Sequence, residues 1–159
     1  MTNKDQDINN HFIGITDDRL HHIIGVARKC YKISKGLNKP EDFCRRMFMI
    51  GWNHDVGYEF SHNKIEHPNI SKSLLKLINV NDSNEANIVL DAINTHGELN
   101  ETQTLEWQIL NIADMTIDSK GNDVDVQTRL EDIGNRYGKE SSDYLKAYNL
   151  CLHMGLINN

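Results

Sequence analysis

Gly51-Trp52-Asn53-His54-Asp55-Val56-Gly57-Tyr58 is the stretch on which the reading of this chain turns. Met47, Phe48, Met49, Ile50 and Trp52 lead into it, so an apolar segment ends on an imidazole followed at once by a carboxylate. Placed together at the end of a buried helix, two such groups need partners, because an unpaired buried charge is costly. A divalent cation satisfies both. The plainer alternative is a helix end whose histidine and aspartate point into water, and the flanking sequence separates the two.

Upstream, Pro40-Glu41-Asp42 opens the helix that ends on this pair, with proline near the first helical position and acids in the first turn. Before it, Thr16-Asp17-Asp18 offers an N-cap for a helix carrying Leu20, Ile23, Ile24, Ala27 and Tyr31 and ending near Gly36. On that helix His22 shares a stripe with Arg19 and Val26, whereas His21 leans toward Gly25 and Arg28. His22 is therefore expected to face inward and His21 to face solvent.

Downstream, Gly57 stops the helix and a polar loop containing His62 and Lys64 leads to His67-Pro68, which opens a helix with the stripe Ile70, Leu74, Leu77 and Ile78. The next helix begins at Asn84-Glu85 and carries Val89, Ala92, Ile93 and, in register, His96, with Gly97 as its C-terminal stop. Leu105 to Met115 is apolar on nearly every side and reads as a buried central helix, with Asp114 conspicuous in its middle. After a loop, Val126, Leu130, Ile133 and Tyr137 form one amphipathic helix, and Tyr144, Leu145, Tyr148, Leu152 and Leu156 another. No strand-type alternation interrupts the pattern, so the expected fold is all α, a single compact helical bundle.

Composition bounds the function. With 159 residues, 38% hydrophobic and 25% charged, the chain is expected to be one soluble domain over residues 1–159. It divides into an N-terminal segment (1–15), a metal-binding core (16–117) and C-terminal helices (126–159). A net charge of −6 argues against a broad electrostatic grip on long nucleic acid, so a polyanionic ligand needs a metal or a local basic cluster. Cys30, Cys44 and Cys151 lack C-x-x-C spacing and read as reduced thiols in or near the core. Without a signal peptide or membrane-length apolar run, a cytoplasmic location and no membrane partner are expected.

The inward polar residues are then His22, His54, Asp55, His67, His96 and Asp114. Four imidazoles and two carboxylates are enough to hold two metal ions, with one carboxylate bridging. The order histidine, His-Asp, histidine, histidine, aspartate resembles the HD superfamily of metal-dependent phosphohydrolases. The resemblance rests on Arg19-x-x-His22, Gly51-x-x-His54-Asp55-Val56-Gly57-Tyr58, His67-Pro68-x-x-Ser71, Ile93-x-x-His96 and Ala113-Asp114. The two additional histidines make it similar to the binuclear branch, which includes the HD-GYP phosphodiesterases and the bacterial diadenosine tetraphosphate hydrolases. Tyr58 stands where HD-GYP proteins carry lysine, and no Gly-Tyr-Pro element follows.

What the resemblance implies is an enzyme that hydrolyses a small phosphate ester or anhydride, with a nucleotide as the expected partner, through a metal-bridged hydroxide. Asp55 would bridge the ions and take the proton of the attacking water. Arg19 would be the catalytic charge clamp, and Arg19 and Lys64 would bind substrate phosphate. Histidine and carboxylate ligands suit iron or manganese first, with zinc, nickel, cobalt or magnesium as further candidates. Two other classes compete: a di-iron oxygenase, which resembles the hydrolases in its ligand set, and a metal-holding nucleotide sensor without turnover. A homo-oligomer is compatible with all three.

Overall fold

Four of the helices start where a short polar side chain closes the first turn. Thr16, Thr104, Asp125 and Ser141 each accept a hydrogen bond from the backbone N–H three residues on, and each such cap stabilises its helix by about 1 kcal/mol. The computed structural model describes residues 16–55, 84–99, 101 and 103–159, with the backbone alone for 84–86. Six α-helices lie in these residues: α1 (Asp17–Gly36), α2 (Glu41–Asn53), α3 (Asn84–Asn94), α4 (Leu105–Asp114), α5 (Val126–Tyr137) and α6 (Ser142–His153). The one β-type pairing among them is an isolated bridge between Ile117 and Asp123. The fold is all α, as the periodicity predicts. Residues 1–15, the loop after Asp55 with His62 and Lys64, and the helix expected from His67-Pro68 lie outside the described residues.

α1 lies along α2, and both rest on α4. Their shared core is Val26 and Cys30 from α1, Met47 and Ile50 from α2, Ile93 from α3, Ile109, Leu110 and Ala113 from α4, and Ile117 beyond it. Each large aliphatic side chain fully buried here contributes about 1.5–3 kcal/mol. Trp107 joins Ala92 and Leu150, tying α6 to α3 and α4, while Met115, Leu130 and Cys151 seat α5 and α6. The three cysteines are buried and free. Burial, with the charge of Asp114 in support, pushes the Cys30 thiol far above its usual range and that of Cys151 up to about 11.

Several local expectations shift. Pro40 is the N-cap of α2 rather than a residue inside it, since its ψ of 153 is extended. α3 ends at Asn94, so His96 sits in the turn beyond. Asp114 is the last residue of α4 rather than its middle. On α6, Leu145 is 48% exposed, because the inner face runs through Tyr144, Ala147, Tyr148 and Cys151 and turns Leu145 outward.

The closest helix contact is between α2 and α1. A Cβ at Gly51 would lie 2.7 Å from the Ala27 Cα and 2.9 Å from its N, against backbone that has no rotamer to give. Gly51→Ala is expected to force the two helices apart and to destabilise the protein by about 1–3 kcal/mol, read as a lower urea midpoint with an unchanged slope.

Candidate metal centre

Three helices run their C-terminal ends into one place. α2 delivers His54 as its C-cap and Asp55 just after; α3 delivers His96 two residues past its end; α4 delivers Asp114 as its final residue. His22 comes from the flank of α1 and is 2% exposed, whereas its neighbour His21 is exposed, as the helical register predicts. His54 and Asp55 are 0% and 3% exposed and His96 is 7% exposed.

All three imidazoles are held the same way. His22 Nδ1–H donates to the Asp118 carbonyl at 2.9 Å, His54 Nδ1–H to the Gly51 carbonyl at 2.6 Å, and His96 Nδ1–H to the Ile93 carbonyl. A carbonyl oxygen only accepts, so Nδ1 carries the proton in each ring and Nε2 is the atom turned to the carboxylates. Gly51 and Ile93 are among the last carbonyls of their helices, groups that lack an intrahelical partner. Ordinary helix ends thus orient two of the rings.

The Nε2 atoms converge on the two aspartates. His22 Nε2 lies 2.8 Å from Asp114 Oδ1, and His54 Nε2 lies 3.7 Å from the same oxygen and 3.4 Å from Asp55 Oδ2. His96 Nε2 lies 3.3 Å from Asp55 Oδ1. The donor atoms of His22, His54 and Asp114, and those of His54, Asp55 and His96, fall within 4.8 Å of one another. Ligands about 2.0–2.2 Å from one ion are spaced on this scale, so the donor set fits a divalent metal such as iron, manganese or zinc. His54 belongs to both groups but has one Nε2 lone pair, which serves one ion. Asp55 has two oxygens facing different histidines and could bridge.

Charge is arranged to match. Burial alone would depress the His54 pKa, yet the charges of Asp55 and Asp114 and the bond to Gly51 outweigh it and push it up to about 9. Burial would raise the Asp114 carboxyl, but the bonds and charges of His22 and His54 hold it well below the usual carboxylate range. Arg19 Nη1 donates to Asp55 Oδ2 at 2.8 Å. Arg19 is thus held against the Asp55 carboxylate. Lys64 and His67 lie outside the described residues.

Some supporting residues are not evident from sequence patterns. Asn111 is fully buried; its Oδ1 accepts from the Gly97 N–H at 2.7 Å and its Nδ2 donates to the Trp107 carbonyl at 2.9 Å, fixing the turn that carries His96. A lone asparagine inside an apolar helix is the signal that marks it. Asp118 holds His22 through its carbonyl, while its side chain accepts from the N–H groups of Lys120 and Asn122 and from Asn122 Nδ2. That turn is pressed onto α1, with Lys29 paired to Asp123 at 2.7 Å. A cavity of about 640 Å³ opens from the cluster and reaches α5 and α6, where Arg129, Arg136 and Lys146 line it.

Fold and site together define a helical protein built around a metal-type donor cluster. A protein-family model, that of the HD domain, matches residues 19–117, more than half of the chain. The chain belongs to the HD domain family, a superfamily of divalent-metal-dependent phosphohydrolases. No curated protein matches the chain, and no solved structure does. Among the described residues no helix is long and apolar enough to cross a membrane.

The turn behind His22 offers a test that leaves every donor in place. Gly121 has φ +84, and a Cβ there would fall on the His21 carbonyl. Gly121→Ala is expected to lift the 118–122 turn off α1, take the Asp118 carbonyl from His22 and weaken binding of cobalt or zinc about 10–100-fold, measured by competition with a chromophoric chelator.

Proposed function

We propose that this protein is a metal-dependent phosphohydrolase acting on a small phosphorylated substrate, with a nucleotide as the expected class. The observation that carries the reading is the convergence of three imidazole Nε2 atoms on two carboxylates, every ring held through Nδ1 by a backbone carbonyl. Such rings arrive with the ligating nitrogen already oriented, so little freedom is lost when an ion binds.

In this reading His22, His54, Asp55 and Asp114 would hold one ion. His96, with Asp55 and His67, would hold a second. Bound ions of this kind lower the pKa of water toward neutrality and neutralise charge on a phosphoryl oxygen. The remaining work falls to the chain. Asp55 would be the carboxylate shared by the two ions, placed also to hold or accept the proton of the attacking water. Arg19 is paired with Asp55 through Nη1; as a fixed positive charge beside the donor cluster it would also attract a phosphoryl oxygen and help to hold it in line for attack. The arginine thereby fixes the proton acceptor and the electrophile relative to each other. Burial of the His22, His54, Asp55 and His96 side chains keeps bulk water away and strengthens each of these interactions.

Turnover of a panel of nucleotides and phosphate esters by metal-loaded protein, against chelator-treated protein, tests the activity. Asp55→Ala is expected to lower kcat by ~10³-fold or more. Arg19→Ala is expected chiefly to raise KM. Wild-type turnover in Asp55→Ala after removal of contaminating metal would sink the assignment.

The second ion has its own readout. His96→Ala and His67→Ala should each lower bound metal from two ions per chain toward one by elemental analysis, with loss of activity far exceeding loss of stability. If both rings were helix caps alone, the metal count would be unchanged and the cost would be about 1 kcal/mol of stability.

A further inference from the structure

One cavity of about 640 Å³ is lined both by the donors His22, Asp55, His96 and Asp114 and by residues of α5 and α6. That volume suits a whole small molecule and far exceeds what one phosphoryl group needs. Three cations of these two helices line it, and their circumstances differ. Lys146 is 57% exposed and paired with Glu98 at 2.9 Å. Arg136 is 35% exposed and grips Asp132 through Nε at 3.3 Å and Nη2 at 2.9 Å. Arg129 is only 11% exposed, and among the described residues the one hydrogen bond of its guanidinium is from Nη1 to Asp132 Oδ2 at 3.1 Å. Its Nε is buried with no acceptor among those residues.

A buried guanidinium with an unsatisfied donor is costly, and the Nε/Nη2 edge is the one that meets two oxygens of a phosphate side by side. Its tie to Asp132 is dispensable, because Asp132 keeps its two-point contact with Arg136 when Arg129 turns away. The charge is also near the centre. Burial would raise the Asp118 carboxyl, but the Asn122 and Lys120 bonds, with Arg129 in support, hold it below the usual range, and the carbonyl of Asp118 holds His22.

We propose that Arg129 is a specificity-determining residue that receives a second phosphoryl group of the substrate, so that the preferred substrates carry at least two phosphates rather than one. This rests on the phosphohydrolase reading only for what the donor cluster takes from the same substrate. On α5, Arg129 falls in register with Val126 and Ile133, a charge on the flank of an apolar stripe as Asp114 is on α4.

Binding without turnover tests it. Manganese-loaded protein, in excess magnesium so that chelation is saturated, is titrated calorimetrically with methylphosphonate, methylenediphosphonate and the β,γ-methylene analogue of ATP. The ligands with several phosphoryl groups should bind the parent ~10–100-fold more tightly than methylphosphonate. Arg129→Gln should close most of that gap, Arg129→Lys should restore part of it, and Asp132→Asn, which frees Arg129, should keep it. A purely structural Arg129–Asp132 pair makes the opposite demand: Arg129→Gln and Asp132→Asn would then change binding alike. The proposal is overturned by the absence of a gap in the parent, its survival in Arg129→Gln, or its equal loss in Asp132→Asn. Failure of the phosphohydrolase reading would show separately, as intact binding with no turnover.

Discussion

Three helix C-termini aimed at two carboxylates set the terms for the rest of this molecule. Each helix end carries the equivalent of roughly half a negative charge, and α2, α3 and α4 have no basic residue in their last turns to offset it. Asp55 and Asp114 add two full charges in the same place. Such an arrangement is unstable unless positive charge is supplied. Arg19 supplies one, and in the metal-free protein the raised pKa of His54 supplies another. A divalent ion would do the same work without a proton, which is why the electrostatics and the donor geometry lead to one chemistry.

The orientation of the donors comes from backbone. His54 and His96 each donate to the carbonyl three residues earlier, a group left over by the helix that has just ended. His22, mid-helix on α1, has no such carbonyl at hand and borrows one from the Asp118 turn. That loan explains the close seating of the turn on α1 and the left-handed backbone at Gly121. Asn111 does the corresponding work for the His96 turn. Ligands, helix ends and core packing are therefore one construction. Gly51, for instance, supplies the acceptor for His54 and also the clearance that lets α2 approach α1.

The family match ends at residue 117, whereas α5 and α6 contribute residues to the lining of the cavity. The donor cluster and this part of the lining thus come from different parts of the chain. The cavity sets four cations, Arg19, Arg129, Arg136 and Lys146, against five carboxylates, Asp18, Asp55, Glu98, Asp114 and Asp143, so an anion would be held there by a local guanidinium or a metal rather than by the charge of the cavity as a whole. A carboxylate pairs with each of these cations, and among the described residues Arg129, the most buried, has one hydrogen bond from its guanidinium, to Asp132.

By itself the sequence determined what local rules control. Helix periodicity marked all six described helices, while cap and acidic-turn signals marked the starts of α1, at Thr16-Asp17-Asp18, and of α2, at Pro40-Glu41-Asp42. Register put His22 inward and His21 outward, because neighbouring residues on a helix point about 100° apart. An aspartate in an otherwise apolar helix marked Asp114, since burial without a partner is too costly to be accidental. Only the tertiary structure decided which atoms meet. Which nitrogen of each histidine faces the centre depends on a carbonyl, and for His22 that carbonyl lies 96 residues away. Leu150 lies inside because α6 packs on Ala92 and Trp107 of α3 and α4, and Leu145, on another side of the same helix, is left exposed. Arg129 reads in sequence as one more basic residue on an amphipathic helix. Its burial, its spare donor and its place on the cavity arise from α5 folding back over the site, a long-range contact that no local pattern of residues records.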